Sequence, residues 1–166
     1  MKMKKLTFAA LLIALGTISG HLIYIPVGIA KAFPVQHLIN VLSAVLLGPA
    51  YAVWNAFAIS LFRNILGTGS LLAFPGSMIG AFLAAYLYKF KGSNFAAVIG
   101  ELFGTGILGA LAAYPIANFL MGSASAVYFF VIPFSVSSLA GVFIAYLFLE
   151  VTEEAEILTS LKESDY

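Results

Sequence analysis

Six long apolar segments run through this sequence and constrain its fold more than any other feature. They lie at about 6–25, 34–48, 50–66, 71–88, 95–121 and 126–149. A helix spans a membrane with ~20 apolar residues, within a range of ~17–25. Only 9% of the residues are charged, against ~25% in soluble domains. The sequence therefore predicts an all-α integral membrane protein, and it argues against a cytosolic enzyme or a nucleic-acid-binding protein.

The boundary at Gly48-Pro49 decides whether the chain has five or six transmembrane helices. Two basic clusters flank the first four segments: Lys2, Lys4 and Lys5 before the first, and Lys89 and Lys91 after the fourth. The positive-inside rule places both clusters in the cytoplasm, which requires an even number of spans between them. Six transmembrane helices with cytoplasmic N- and C-termini meet this requirement. We predict one six-helix domain at 1–150 in the cell membrane and a short acidic cytoplasmic tail at 151–166.

The sequence lacks the motifs that mark disulfides, metal sites and ATP hydrolysis. The chain has no cysteine, so disulfides and thiolate metal sites are excluded. Its two histidines have no spaced partner of the kind that binds zinc, and it has no Walker motif for ATP hydrolysis. We therefore predict a protein that is not an enzyme and that uses no cofactor and no metal. The energy for any transport would come from a gradient or from another subunit.

Polar residues inside or beside the apolar segments mark a candidate binding site. An ionisable side chain at membrane depth costs ~2.5–3.5 kcal/mol on insertion scales, so its presence suggests a function. Most of these residues fall in the outer half of the predicted topology, which predicts an outward-facing pocket. The candidate substrate-binding residues are Lys31, His37, Asn40, Arg63, Asn64, Phe74, Ser77, Glu101 and Tyr114. Simpler roles stay open, because Arg63 can snorkel to lipid headgroups and Glu101 can bond a neighbouring helix.

Small residues at helical spacing form a second pattern. Ala10 and Ala14 lie in the first segment, and Gly16 and Gly20 continue the stripe. Small residues four apart let two helices approach closely in lipid. In the fourth and fifth segments we expect such stripes to pack within the protein. For Ala10 and Ala14, contact with another protein is a serious alternative.

Three longer motifs resemble those of a known family of membrane proteins. They run from Lys31 to Pro49, from Arg63 to Ala81 and from Gly100 to Gly106. The run from Arg63 to Ala81 is quite specific. Together with the six short segments, the basic N-terminus and the Ala10-x-x-x-Ala14 pattern, they make the chain similar to the substrate-binding S components of energy-coupling-factor (ECF) transporters. More specifically, the chain resembles the ThiW family over roughly 6–149.

The resemblance implies a function and a set of partners. ThiW proteins are thought to capture hydroxyethylthiazole, a thiamin precursor, together with a membrane coupling protein and two ATPase subunits. In that scheme the coupling protein would contact Ala10 and Ala14, and ATP would be hydrolysed on the other subunits. A stand-alone secondary transporter of a small molecule is the alternative, since Glu101 keeps ion coupling open.

The residues themselves agree with a small aromatic ligand. A neutral ring with a hydroxyl needs aromatic walls and a few hydrogen-bonding groups. The outer-half residues that can supply these are Phe33, Phe74, Tyr114, Tyr128, Asn40, Asn64, His37 and Ser77. Arg63 and Lys31 fit such a ligand less well. They favour a phosphorylated or carboxylated ligand, or they order the outer loop.

Overall fold

A computed structural model describes residues 2–27, 30–122, 124 and 126–154 of the chain. They form six helices and one short antiparallel hairpin. The helices are α1 (Lys2–Leu22), α2 (Pro34–Leu46), α3 (Pro49–Ile65), α4 (Ala73–Lys91), α5 (Asn94–Leu120) and α6 (Val131–Glu154). The hairpin pairs β1 (Ile25–Val27) with β2 (Ala30–Ala32) between α1 and α2. The predicted helical fold is confirmed, and the hairpin is an addition that the sequence did not predict.

Gly48 separates α2 from α3. Its φ of 87° lies in a region that glycine adopts without the steric cost met by other residues. Pro49 then occupies the first turn of α3, where its missing N–H is not needed. The second and third apolar segments are therefore two helices. Three of the described helices are long and apolar enough to cross a membrane, namely α1 at Met3–Gly20, α5 along its length and α6 at Val131–Thr152.

The central helix of the bundle is α2. Eleven of its 13 residues are buried, and it packs against all five other helices. A helix of this size is about 20 Å long, which is shorter than the ~30 Å hydrocarbon core of a bilayer. Because α2 is buried on nearly all sides, its polar residues face other helices rather than lipid.

Helix α5 is continuous but contains two wider turns. Its α-helical stretches Asn94–Phe103 and Ala110–Pro115 alternate with π-helical stretches at Gly104–Gly109 and Ile116–Leu120. A proline inside a helix removes one backbone hydrogen bond, and Pro115 directly precedes the second π-helical stretch. Turns of this kind occur frequently at functional sites.

Glycines bring α4 and α5 into close contact. A Cβ added at Gly104 would lie 2.7 Å from Gly80 Cα, and one added at Gly109 would lie 2.4 Å from Gly76 Cα. Only glycine permits backbones to approach this closely, as expected where lipid gives no hydrophobic drive for helix association. The expectation that these stripes pack inside the protein is confirmed.

The small residues of α1 lie on two different faces. Gly16 and Gly20 contact α3, and a Cβ added at Gly20 would lie 2.5 Å from Arg63 Nε. Ala10 and Ala14 are exposed instead. The interpretation of one continuous stripe was therefore wrong, because the two glycines are turned into the bundle. The alanines alone remain available to a partner.

The predicted acidic tail begins as a continuation of α6, which extends to Glu154. Residues 155–166 lie outside the described residues. The division at residue 150 between a membrane domain and a tail stays a prediction.

Candidate binding site

A cavity of about 250 Å³ lies at the end of the bundle where α2, α4 and α6 begin and α3 ends. Its polar side chains are Lys31, Gln36, His37, Arg63, Ser70, Ser77, Thr105 and Ser137. Its aromatic rings are Phe33, Phe130 and Phe134. Lys89 and Lys91 lie at the opposite end of the bundle, in the last turn of α4. A concave site that combines aromatic rings with hydrogen-bonding side chains is typical of small-molecule binding.

Glu101 is the centre of a buried hydrogen-bond network beneath this cavity. Its side chain is fully buried. The Oε1 atom accepts hydrogen bonds from His37 Nδ1 at 2.8 Å, Asn40 Nδ2 at 2.9 Å and Thr105 Oγ1 at 2.9 Å. Within the described part of the chain, Oε2 has no hydrogen-bond partner. One carboxylate oxygen therefore joins α2 to α5.

The network also fixes how His37 meets the cavity. Glu101 Oε1 already accepts from Asn40 and Thr105, and this hydrogen-bond pattern assigns the hydrogen shared with His37 to Nδ1. Because Nδ1 is engaged, Nε2 is the ring nitrogen left for a ligand, and in the neutral imidazole it is an acceptor. Asn40 acts in the same way on Ser77, since its Nδ2 lies 3.0 Å from Ser77 Oγ and 3.2 Å from the Ser77 carbonyl oxygen. Asn40 and Glu101 thus position two side chains of the cavity wall.

Arg63 is a buried cation with neutral partners. Its side chain is 2% exposed, and its two terminal nitrogens donate to Gln36 Oε1 and, at 3.0 Å, to the Thr68 carbonyl oxygen. The guanidinium carbon lies 3.8 Å from the centre of the Phe33 ring, which is a cation–π contact. No described residue accepts a hydrogen bond from Nε. These contacts hold the guanidinium at the cavity wall.

The hairpin brings a second cation to the same cavity. Lys31 lies on β2, and its Nζ is 4.5 Å from the centre of the Tyr24 ring. Phe33 follows β2 directly, and its backbone N–H donates to Ser137 Oγ at 2.8 Å. This bond ties the hairpin to α6 and holds Phe33 against the cavity.

Comparison with known proteins identifies one family. The family model described as thiamine-precursor transporter protein (ThiW) matches residues 6–155. The chain belongs to the ThiW family. Neither a curated protein nor a solved structure matches it. The resemblance carried by the three sequence motifs is confirmed, and the chain is a membrane protein of a transporter family.

Six of the nine predicted substrate-binding residues meet in or under the cavity of this ThiW protein. Lys31, His37, Arg63 and Ser77 line it, and Asn40 and Glu101 support it from below. Glu101 lies only two turns into α5. Its Oε1 nevertheless lies 2.8 Å from Nδ1 of His37, which is in the first turn of α2.

Three predicted residues do not line the cavity. Asn64 donates from Nδ2 to the carbonyl oxygen of Ser70 at 3.0 Å, so it orders the loop that carries Ser70 to the wall. The Phe74 ring lies 5.6 Å from that of Phe57, and Tyr114 is half-buried further along α5. Direct contact of these three with a ligand stays a prediction.

Among the lining residues that were missing from the predicted site residues are Gln36, Thr105, Ser137, Phe130 and Phe134. Thr105 had a usable signal, because it follows the acidic residue of α5 by four positions and residues four apart share a helix face. Gln36 had a weaker sequence signal, as a polar residue next to His37, which was predicted to bind the ligand. The serine and the two rings are ordinary residues of apolar helices, and only the tertiary structure shows where they face.

Proposed function

We propose that this protein is the substrate-binding S component of an ECF-type transporter and that it captures hydroxyethylthiazole, a thiamin precursor. The observation that carries the proposal is the cavity, where aromatic rings and hydrogen-bonding side chains meet at one end of a helical bundle. Membership of the ThiW family supports a thiamin precursor as the substrate class. ATP hydrolysis belongs to separate subunits.

The size and lining of the cavity support a small ring as the ligand. Its volume of about 250 Å³ is below the ~300–1,000 Å³ common for drug-sized ligands. Phe130 and Phe134 offer ring faces to a thiazole. Ser77, Ser137 and His37 are able to exchange hydrogen bonds with its nitrogen and its hydroxyl.

The proposed topology has six transmembrane helices, with both termini in the cytoplasm and the protein in the cell membrane. The basic N-terminus starts α1, and Lys89 and Lys91 end α4, so the positive-inside rule puts this end of the bundle in the cytoplasm. The cavity lies at the other end and would open outward, where a precursor is captured. Although α2 is short, its neighbours shield its backbone from lipid.

The exposed face of α1 supports a partner protein. Ala10 and Ala14 lie on this face, and small side chains let a second helix approach closely. We assign this face to the coupling protein, which would in turn bind two ATPase subunits. The glycines of the same helix are already engaged by α3.

A stand-alone secondary transporter is the second candidate function. The observation that favours it is the His37–Glu101 pair under the cavity, at 2.8 Å. Ionisable residues inside membrane segments often form proton pathways, so this pair could couple ligand movement to a proton gradient. In the S-component proposal the same pair only positions His37.

Binding and uptake measurements separate these candidates. Isothermal titration of the purified protein with hydroxyethylthiazole and with thiamin tests the ligand, and a wild type that binds neither removes hydroxyethylthiazole as the ligand. Uptake of labelled hydroxyethylthiazole into proteoliposomes tests the mechanism. An S component requires the coupling protein, the ATPases and ATP. A secondary transporter works alone and stops when the proton gradient is dissipated.

A further inference from the structure

Two cations border the cavity, and no carboxylate of the described residues pairs with them. They are Arg63 and Lys31, and they come from different elements, the end of α3 and the hairpin. The first 100 residues contain no Asp or Glu. The first acid, Glu101, uses one oxygen to accept three hydrogen bonds, none of them from either cation. In the described ranges neither cation forms an ion pair.

Burial makes the charge of Arg63 costly unless a counter-charge is present. Its hydrogen-bond partners are an amide oxygen and a backbone carbonyl, and its Nε has none among the residues described. Neutral partners offset only part of the desolvation cost of a buried ion. Ordering of the α3–α4 loop explains the bond to Thr68, but it does not explain Lys31, which comes from the hairpin.

Resting on the thiamin-precursor function proposed above, but replacing its neutral alcohol by an acidic derivative, we infer that the preferred ligand is an anion, a small aromatic ring that carries a phosphate or carboxylate group. The oxyanion lies between Arg63 and Lys31, since a guanidinium forms strong paired hydrogen bonds with both groups. The ring lies against Phe130 and Phe134. Two sources of this chemistry are the phosphate ester of hydroxyethylthiazole and a thiazole with a carboxylate on its side chain. The same cations disfavour thiamin, whose thiazolium ring is positively charged.

Titration of the purified protein with four ligands tests this inference. The ligands are hydroxyethylthiazole, its phosphate ester, the carboxylate analogue and thiamin. We expect one or both anions to bind wild type roughly 10-fold or more tightly than the neutral alcohol, because charge-assisted hydrogen bonds are about twice as strong as neutral ones. The anion that binds more tightly identifies the source. Its affinity should also fall as salt is raised.

Variants locate the anion. Lys31→Gln and Arg63→Gln should each reduce the anion-to-alcohol affinity ratio several-fold. Lys89→Gln removes an exposed charge at the opposite end of the bundle and should leave the ratio unchanged, so it controls for net charge. The side chain of Lys31 is exposed, so we expect Lys31→Gln to fold and to test the inference even if Arg63→Gln does not fold. Equal wild-type affinities for the alcohol and both anions overturn the inference, as does an unchanged ratio in Lys31→Gln.

A final arm separates this inference from the proposed function. If no thiazole binds, the thiazole assignment fails, and the thermal stability of wild type is then measured with phenyl phosphate, benzoate and benzyl alcohol. Stabilisation by either anion but not by the alcohol, reduced in Lys31→Gln, upholds the anion site without the thiazole. No stabilisation by either anion removes the anion site as well.

Discussion

Replacement of Glu101 tests whether the buried network stabilises the bundle mainly through His37. Glu101→Ala removes the oxygen that accepts hydrogen bonds from three side chains. Two of these side chains keep other partners, because Thr105 Oγ1 lies 3.0 Å from the Gly76 carbonyl oxygen and Asn40 keeps its contacts with Ser77. Only the Nδ1 atom of His37 loses its partner.

The number of donors left without a partner sets the expected loss of stability. Removal of one member of a buried ion pair costs ~3–5 kcal/mol when the remaining charge has no other partner. Here one donor is left unsatisfied, so we expect Glu101→Ala to lower the free energy of unfolding by about 1–3 kcal/mol. Glu101→Gln keeps an accepting oxygen and places its amide where Oε2 already lacks a partner. We expect it to cost less than half as much.

Unfolding by SDS in mixed micelles, followed by far-UV circular dichroism, measures these free energies. A double-mutant cycle makes the test specific: in a His37→Ala background, Glu101→Ala should cost little, because the donor that it strands is already gone. The reasoning is refuted if the full cost of Glu101→Ala persists in that background, or if Glu101→Gln is as destabilising as Glu101→Ala.

Three further predictions concern topology, the partner face and the ligand. Ser93→Cys should react with a membrane-impermeant thiol reagent only in opened cells, and labelling of intact cells would overturn the six-span topology; Ser123, a second labelling position, lies outside the described residues. Ala10→Trp and Ala14→Trp should abolish uptake by the full complex and leave ligand affinity near wild type, whereas loss of affinity in the isolated protein would mean that this face packs internally. His37→Ala and Asn64→Ala should each weaken ligand binding roughly 3- to 100-fold in isothermal titrations. Asn64 acts through the loop that it orders. Unchanged affinity in both variants would place the ligand elsewhere.

The sequence predicted the helical segments well because membrane helices leave a strong signal. Each is a long apolar run, and Gly48-Pro49 marked the break that separates α2 from α3. The hairpin at Ile25–Val27 and Ala30–Ala32 left no such signal, since strands of three residues are too short to show a period. Gly16 follows Ala14 by two positions, so the helical period itself separates the glycines from the alanines. Only the tertiary structure shows that the glycine face packs on α3.

The candidate site was also partly predictable, because polar side chains that are costly in a membrane stand out in an apolar sequence. Charged and amide side chains are expensive in a membrane, so Arg63, His37 and Glu101 stood out against apolar neighbours. Serine and threonine hydroxyls are inexpensive there, because they can bond to the preceding turn of their own helix. Ser137 therefore gave little warning of its place in the cavity wall.

The first two turns of α2 hold the bundle together and shape the cavity at the same time. Gln36 accepts a hydrogen bond from α3, His37 donates to α5 and Asn40 contacts α4, while Phe33, just before the helix, bonds to α6. In lipid, where apolar burial gives helices little reason to associate, such bonds are a main source of cohesion. Because the same bonds fix the cavity wall, the site is formed before the ligand arrives. A small ligand then loses little of its limited binding energy to ordering the protein.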